Sequence, residues 1–213
     1  MPAPVYVSTH PLVQHKLARL RAADTRPPEF RALVAAISRG LLFELTRELR
    51  LAPVRVQTPL TGATCQQIAD RVGFVPVLRA GLGMLNGMMK LMPTAEVGFL
   101  GMVRDETSLL ATTYADRLPH NLKDRQVFVL DPMLATGGTL VAAINLLLER
   151  GARDVTAICL LAAPEGLRHM EESFAGSDAN VTVVTASLDE RLNEKGYIVP
   201  GLGDAGDRQF GTG

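Results

Sequence analysis

Cysteine is scarce in this sequence of 213 residues, and tryptophan is absent. The two cysteines, Cys65 and Cys159, lie far apart and lack the spacing of a metal site or a redox pair, which favours a reducing compartment. Net charge is missing as well, because 22 Lys plus Arg balance 22 Asp plus Glu. A neutral chain has no overall field that attracts nucleic acid or an anionic membrane, so we expect neither as a partner.

The sequence also lacks a long apolar run. No stretch approaches the roughly 18 residues that a membrane-spanning helix needs, and the N-terminus has no apolar segment typical of a secretion signal. We therefore expect a cytoplasmic protein. Hydrophobic residues make up 47% and charged residues 21% of the chain, which excludes a disordered protein. At this length the simplest organisation is one domain, so we expect residues 1–213 to form a single domain.

Apolar residues at helical spacing predict two helices within residues 9–50. The first follows Thr9, which is its predicted cap, and ends before Pro27. The second runs from Glu29 toward Leu49 and carries the strongest helical pattern in the sequence. A helix with such a broad apolar face needs a partner, either the core or another subunit, so a homodimer or larger homo-oligomer is expected.

From residue 72 onward, short apolar runs alternate with amphipathic segments. Strands are predicted at 72–78, 97–103, 126–130, 155–161 and 181–185. This alternation predicts an α/β fold with a mostly parallel central sheet and helices on both faces. Ligands bind at the carboxyl ends of the strands in such sheets, so the residues that follow each strand are the candidates for function.

The most informative candidate site follows the strand predicted at 126–130. Asp131 stands at the end of this strand, and a turn of small residues, Thr136 to Thr139, leads into an apolar helix from Leu140. Backbone N–H groups at a helix start, two threonine hydroxyls and two glycines would form a cradle for a monophosphate. Residues 131–139 are called the phosphate loop below. On this motif alone, an ordinary strand-turn-helix junction with a threonine cap is an equal alternative.

Three separated segments resemble a known family. They are PVLRAGLG at 76–83, DPMLATGGT at 131–139 and GYIVPGLGDAGD at 196–207. The middle segment resembles the phosphoribosyl-diphosphate (PRPP) signature of type I phosphoribosyltransferases. All three together resemble the uracil phosphoribosyltransferase family, with matching order from His10 to Thr212. The chain departs from the common type I pattern at Pro132, where most members have a second acidic residue.

The resemblance implies a reaction and its partners. Uracil and PRPP would give UMP and pyrophosphate in pyrimidine salvage, with Mg²⁺ as the cofactor. GTP as an activator is left open by the sequence, as is the number of subunits. The implied fold is the type I phosphoribosyltransferase fold with a small C-terminal hood that binds the base.

The resemblance also implies roles for particular residues. Arg79 and Arg104 would bind pyrophosphate and Asp131 would contact the ribose hydroxyls, and these three are the expected catalytic residues. The chemistry agrees, because a guanidinium can bind a diphosphate with two hydrogen bonds. The remaining residues of the expected PRPP site are Pro132, Met133, Leu134, Ala135, Thr136, Gly137, Gly138, Thr139 and Asp204.

The glycine-rich C-terminal segment at 187–213, called the base segment below, is expected to bind uracil. By the resemblance, Ile198, Gly203, Asp204 and Ala205 form this site, largely through main-chain groups, and Asp204 is also the expected protein contact of Mg²⁺. A backbone N–H facing O4 and a C=O facing N3–H would accept uracil, whereas cytosine would leave buried groups unpaired.

Two other interpretations compete with this one. Arg79 to Asn86 forms an almost complete dinucleotide fingerprint, in which Asn86 replaces the third glycine and Asp105 or Glu106 follows at about the right distance. An RNA-binding regulator on the same fold is the second alternative, and it would need a basic face.

The polar stretch between Arg104 and Arg117 is interpreted as a mobile flap that excludes water.

Overall fold

The computed structural model describes residues 4–104 and 111–212, with the side chains of 104, 111 and 112 outside the description. Of the polar stretch interpreted as a flap between Arg104 and Arg117, residues 105–110 lie outside the described residues, and residues 111–117 form a strand. The first half of the chain forms β1 (Val5–Val7), α1 (Pro11–Arg21), α2 (Pro27–Leu45), β2 (Leu51–Gln57), β3 (Gly62–Ile68), β4 (Arg71–Leu78), α3 (Leu82–Met88), β5 (Glu96–Val97) and β6 (Phe99–Arg104). The second half forms β7 (Ala111–Arg117), β8 (Arg125–Leu130), β9 (Met133–Leu134), α4 (Gly138–Glu149), β10 (Asp154–Ala162), α5 (Pro164–Phe174), β11 (Asn180–Leu188), β12 (Arg191–Leu192), β13 (Ile198–Val199) and α6 (Ala205–Phe210).

One large sheet organises the described part of the chain. Its strands follow the order β1-β11-β10-β8-β4-β6-β7, with β5 beside β4 and β9 beside β10. Neighbouring strands are parallel except β6 and β7, which are antiparallel. The prediction of an α/β fold with a mostly parallel sheet is therefore confirmed.

The core lies on both faces of this sheet because successive side chains of a buried strand point to opposite sides. Phe74 and Phe128 face α1, α2 and α3, and their ring centroids are 5.9 Å apart. Val75 and Val129 point the other way and pack with α4 and α5. Helices thus cover both faces, as the continuous apolar strands predict.

The ends of the N-terminal helices differ from the prediction. The cap of α1 is His10 rather than Thr9, because the His10 Nδ1 accepts a hydrogen bond of 3.2 Å from the Leu12 N–H. Helix α2 begins at Pro27, since proline suits a first turn that has no use for its N–H. It ends at Leu45, and a short 3₁₀ turn leads to extended backbone at Leu49.

Two antiparallel pairs lie outside the main sheet. Strands β2 and β3 form a hairpin ahead of the first predicted strand at 72–78, and β12 pairs with β13 in the base segment. Among the helices of the described ranges, none combines the length and the apolar composition needed to cross a bilayer.

Candidate functional site

Two of the three predicted site segments lie along one edge of the sheet. Strands β4, β6 and β8 are parallel, so their carboxyl ends meet at this edge, where Arg79 follows β4 and Asp131 follows β8. Strand β4 lies between the other two, with Pro76 opposite Leu130. The sheet therefore places the Arg79 segment next to the phosphate loop.

The two arginines differ in how far the structure describes them. Arg79 is exposed and follows a cis peptide bond from Leu78. Among the residues that the structure describes, no carboxylate forms an ion pair with Arg79. Arg104 ends β6 at the same edge, and its side chain lies outside the described part.

The first half of the phosphate loop is fixed by the neighbouring strand β10. The Pro132 C=O accepts hydrogen bonds from the N–H groups of Leu160 and Leu161, at 2.9 and 3.1 Å. Met133 and Leu134 then pair with β10 as the short strand β9. These contacts hold the loop backbone against the sheet.

Asp131 is a half-buried carboxylate at the start of this loop. Its Oδ1 accepts a hydrogen bond of 3.3 Å from the Met133 N–H. Burial raises the pKa of Asp131 to about 6, and the single backbone hydrogen bond offsets only part of this effect. A ligand that supplies hydrogen-bond donors, such as a vicinal diol, would therefore stabilise the ionised carboxylate of Asp131.

The second half of the loop presents the N-terminus of α4. The helix begins at Gly138, two residues before the predicted start, and its cap is Gly137 at φ +85° rather than a threonine. A Cβ on Gly137 would approach the Gly166 C=O to 3.0 Å, whereas a Cβ on Gly138 would meet nothing within 4 Å. Gly138 thus borders open space beside the free N–H groups of the first turn, which is the geometry of an anion site.

Helix α5 packs against the phosphate loop, a contact that no pattern in the sequence predicts. A Cβ on Gly166 would lie 2.4 Å from the Ala135 C=O, so the helix packs directly on the loop backbone. The Nδ1 of His169 lies 2.9 Å from the Thr136 C=O. Since a carbonyl only accepts, this ring nitrogen carries the proton in that contact. His169 therefore contacts the loop, although its sequence position carries no motif.

The predicted uracil residues come together in the base segment. Ile198 is buried and pairs with Leu192, while Gly203 adopts φ +82°. Asp204 is exposed and caps α6, because its Oδ1 accepts a hydrogen bond of 2.8 Å from the Asp207 N–H. Ala205 begins that helix and is buried.

An ion pair that no sequence motif predicts joins the base segment to α1. Arg21 donates to both carboxylate oxygens of Asp189, at 2.7 and 2.5 Å, and to the Gly201 C=O at 2.8 Å. Asp189 also accepts from the Gly201 N–H. Burial opposes the ionisation of Asp189, but the hydrogen bonds from Arg21, Gly201 and Ser187 hold its pKa below the usual value.

Contacts join the base segment to the turn after β4, and that turn to the start of the phosphate loop. A Cβ on Gly81 would lie 2.4 Å from the Leu130 C=O, so the turn after β4 packs on the start of the phosphate loop. The Gln209 side chain in turn donates to the C=O groups of Ala80 and Ala205. The three predicted site segments are therefore contiguous through Leu130, Ala80 and Gln209.

The same packing weakens the dinucleotide interpretation. A Cβ on Gly83 would lie 1.8 Å from the Gln209 Oε1. Gly81 and Gly83 are therefore enclosed by protein atoms, not left open beside a ligand as the glycines of a dinucleotide fingerprint are. Glycine stands at both positions because neighbouring protein atoms leave no room for a Cβ.

The metal-ligating residues of the site are few. Over the described ranges, no three His, Cys, Asp or Glu side chains come together as a metal site. Asp131 and Asp204 offer carboxylate oxygens, which suit Mg²⁺, an ion that commonly keeps several waters and binds through substrate phosphates. This donor set fits an ion that a diphosphate ligand carries into the site.

Comparison with known proteins identifies the family. The model of the family "Uracil phosphoribosyltransferase" matches residues 7–212. The chain belongs to the uracil phosphoribosyltransferase family. A curated uracil phosphoribosyltransferase from Kineococcus radiotolerans is 63% identical over 207 residues, which is 97% of this chain and 98% of that protein. The uracil phosphoribosyltransferase of a Nocardioides species is 60% identical, with 97% of each chain covered.

A solved structure has the same overall fold as this family member. The AQ2163 protein from Aquifex aeolicus superposes with a TM-score of 0.91 at 39% sequence identity, and the match covers 98% of each chain. The resemblance of the three sequence segments to the uracil phosphoribosyltransferase family is thus confirmed over nearly the full length.

Proposed function

We propose that this chain transfers the 5-phosphoribosyl group of PRPP to N1 of uracil and releases pyrophosphate, forming UMP for pyrimidine salvage in the cytoplasm. Membership of the uracil phosphoribosyltransferase family over residues 7–212 is the observation that carries this function. The contiguous segments at the carboxyl edge of the sheet support the assignment of its parts. We treat the whole chain as one domain.

The phosphate loop is the proposed site of the ribose 5-phosphate. The first N–H groups of α4, from Gly138 onward, lack partners within the helix and lie at its positive end. The hydroxyls of Thr136 and Thr139 add donors, and the open space at Gly138 leaves room for phosphate oxygens. Leu134, Ala135 and Gly137 contribute backbone, while Pro132 and Met133 connect this cradle to Asp131.

Asp131 is the proposed contact of the ribose hydroxyls. Two hydroxyl donors would favour its ionised form and offset the burial that raises its pKa. The carboxylate would then fix the sugar ring with its anomeric carbon turned away from the loop. The negative charge of Asp131 would also favour the positive charge that develops on the ribose.

Arg79 and Arg104 are proposed to bind the pyrophosphate of PRPP. During transfer, the bond between C1 and the pyrophosphate oxygen breaks, the bond between C1 and uracil N1 forms, and the N1 proton is lost to solvent. Negative charge grows on the pyrophosphate, so two guanidinium groups at that position stabilise the transition state more than the bound substrate. Positioning and charge account for catalysis, and no protein nucleophile is assigned.

Mg²⁺ is proposed as the cofactor, bound mainly by oxygens of PRPP and by water. When bound, it neutralises charge on the pyrophosphate. Asp204 is the protein carboxylate assigned to it, because this side chain is exposed in the base segment.

Uracil is proposed to bind at Ile198, Gly203, Asp204 and Ala205. The left-handed backbone at Gly203 turns the chain before the cap of α6, so main-chain groups rather than side chains face the base. Backbone groups of fixed polarity distinguish the O4 and N3–H of uracil from the amine and bare nitrogen of cytosine.

The function is tested by incubating the purified chain with PRPP, Mg²⁺ and one base, and quantifying nucleotide and pyrophosphate by chromatography. Uracil is expected to give equal amounts of UMP and pyrophosphate, and cytosine and hypoxanthine neither. Absence of UMP, or a nucleotide of another base, would overturn the proposal.

Assembly and regulation are part of the same proposal. We expect a homodimer or larger homo-oligomer, in keeping with exposed apolar side chains such as Phe43 and Leu51. Light scattering during size exclusion measures the mass, and a monomer would contradict this expectation. For GTP as an activator, UMP formation with and without the nucleotide at low PRPP is the test, and identical rates would remove it from the account.

A further inference from the structure

One buried amide contacts both of the segments assigned to the two substrates. The side chain of Gln209 in α6 is 0% exposed. Its Nε2 donates to the C=O of Ala80 at 2.9 Å and to the C=O of Ala205 at 3.1 Å. Ala80 follows the proposed pyrophosphate ligand Arg79, and Ala205 belongs to the proposed uracil site. The two protons of the amide thus join the backbones of both sites.

The oxygen of this amide indicates that packing alone does not explain a glutamine at this position. The Gln209 Oε1 is buried without a hydrogen-bond partner in the described part of the chain. It lies against the first turn of α3, where a Cβ on Gly83 would be 1.8 Å away. A buried polar atom without a partner is unfavourable, and an apolar side chain of similar volume would fill the same space without that disadvantage. Packing therefore does not account for a glutamine here, whereas its two donated hydrogen bonds do.

These contacts give a route by which one substrate affects the other. Pyrophosphate bound to Arg79 would hold the neighbouring Ala80 carbonyl in place, and with it the amide that donates to that carbonyl. The same amide then restricts the Ala205 carbonyl, so the base segment loses less conformational entropy when uracil binds.

We propose that Gln209 is a positioning residue that couples the binding of PRPP to the binding of uracil, an inference that rests on the function proposed above. Coupling between sites is reciprocal, so each substrate raises the affinity for the other by the same factor. Gln209 touches neither reacting atom, and its effect therefore falls on the coupling rather than on the transfer step.

The test uses the full chain and an unreactive probe. Uracil is titrated by calorimetry with and without Mg²⁺ and a carbocyclic PRPP analogue, in which a methylene replaces the ring oxygen. In the wild type, the analogue is expected to tighten uracil binding by a factor in the range of about 5 to 150, typical of coupled sites. In Gln209→Met, which keeps the volume but removes both donors, the factor is expected to fall below ~2.

The chain offers a matched control in Gln14. Its Nε2 also donates to two backbone carbonyls, those of Ser8 at 2.7 Å and Ala186 at 2.8 Å, but neither belongs to a proposed substrate segment. Gln14→Met is expected to lower the melting temperature and to leave the coupling factor unchanged. A merely structural role for Gln209 would give the same pattern in Gln209→Met and would overturn the proposal.

A second variant displaces the amide without changing it. Gly83→Ala places a methyl group where the Gln209 Oε1 lies, so it should break the contacts with Ala80 and Ala205 and lower the coupling factor as Gln209→Met does. Full coupling in a folded Gly83→Ala protein would count against the proposal.

If the wild type forms no UMP, the proposed function fails. If UMP forms but the coupling factor is equal in wild type and Gln209→Met, only the role of Gln209 is removed.

Discussion

The His169 Nδ1 lies 2.9 Å from the Thr136 carbonyl oxygen, which links α5 to the turn that opens α4. This hydrogen bond fixes the backbone beside the proposed site of the 5-phosphate. We expect His169→Ala to raise the KM for PRPP by about twofold to tenfold, the value of one hydrogen bond of ~0.5–1.5 kcal/mol, with a smaller change in kcat. Steady-state kinetics measure this split. His15→Ala, on an exposed position of α1, is the control, and equal KM values in all three proteins would refute the role.

The proposed pyrophosphate site predicts a large effect on turnover. Arg79→Ala and Arg104→Ala should each lower PRPP-dependent UMP formation by at least ~10²-fold, as removal of a positioned electrostatic donor does. Arg79→Lys and Arg104→Lys keep the charge but lose the planar fork, and should recover part of the rate. Folded alanine variants with near wild-type rates would remove the assignment of both arginines.

The open space at Gly138 predicts a variant that folds but does not bind phosphate. Gly138→Val puts a side chain where nothing lies within 4 Å, so the melting temperature should change little while PRPP affinity is lost. Gly137 is a poorer target, because its φ of +85° disfavours any side chain and the Gly166 carbonyl lies close by. Unchanged PRPP affinity in Gly138→Val, measured by calorimetry, would contradict the phosphate site.

The raised pKa of Asp131 predicts that the free energy of unfolding depends on pH. Its pKa rises from 3.8 to about 6 on folding, so the folded state holds a proton that the unfolded state releases. The stability associated with Asp131 is therefore greatest below about pH 4 and falls as the pH rises through 6, by on the order of 2–3 kcal/mol.

Asp131→Asn should remove this dependence. We expect the variant to melt above the wild type at pH 8, with the difference shrinking toward pH 4, and to lose most PRPP-dependent turnover. Melting curves from pH 4 to pH 8 measure the effect, with the exposed Asp178→Asn as the control. A variant with full turnover, or with the same pH profile as the wild type, would be inconsistent with this role.

Asp204 can be tested for Mg²⁺ apart from its structural role. Asn caps helices as well as Asp does, so Asp204→Asn should keep the bond to the Asp207 N–H and the melting temperature. The loss of negative charge should raise the Mg²⁺ concentration needed for half-maximal UMP formation, whereas Asp207→Asn should not. An unchanged Mg²⁺ requirement in Asp204→Asn would assign the metal entirely to PRPP and water.

Much of this molecule is predictable from local sequence. Continuous apolar runs predict the buried strands β4, β8, β10 and β11, because such strands are covered on both faces. The same logic places Asp131 and Arg79 at one edge, since residues after parallel strands emerge on the same side. The small residues of the phosphate loop predict a turn that leads into a helix, and the structure has this turn with Gly137 as the cap.

The remaining features depend on contacts that sequence spacing does not encode. His169 meets Thr136 across 33 positions, Arg21 meets Asp189 across 168, and Gln209 meets Ala80 across 129. No periodicity connects such residues, because the fold alone brings them together. The choice of His10 over Thr9 as the cap of α1 likewise depends on a ring nitrogen that happens to reach the Leu12 N–H.

The bonds from Arg21 to Asp189 and Gly201, and from Arg208 to the Leu20 and Ala22 carbonyls, join the two extremes of the chain. During translation, the first helix leaves the ribosome while the codons for its partners are still unread. These contacts between α1 and the proposed uracil segment can therefore form only after residues 189–208 have been synthesised. A nascent chain that stops at residue 188 would contain every strand described for the central sheet and still lack the residues of the proposed uracil site.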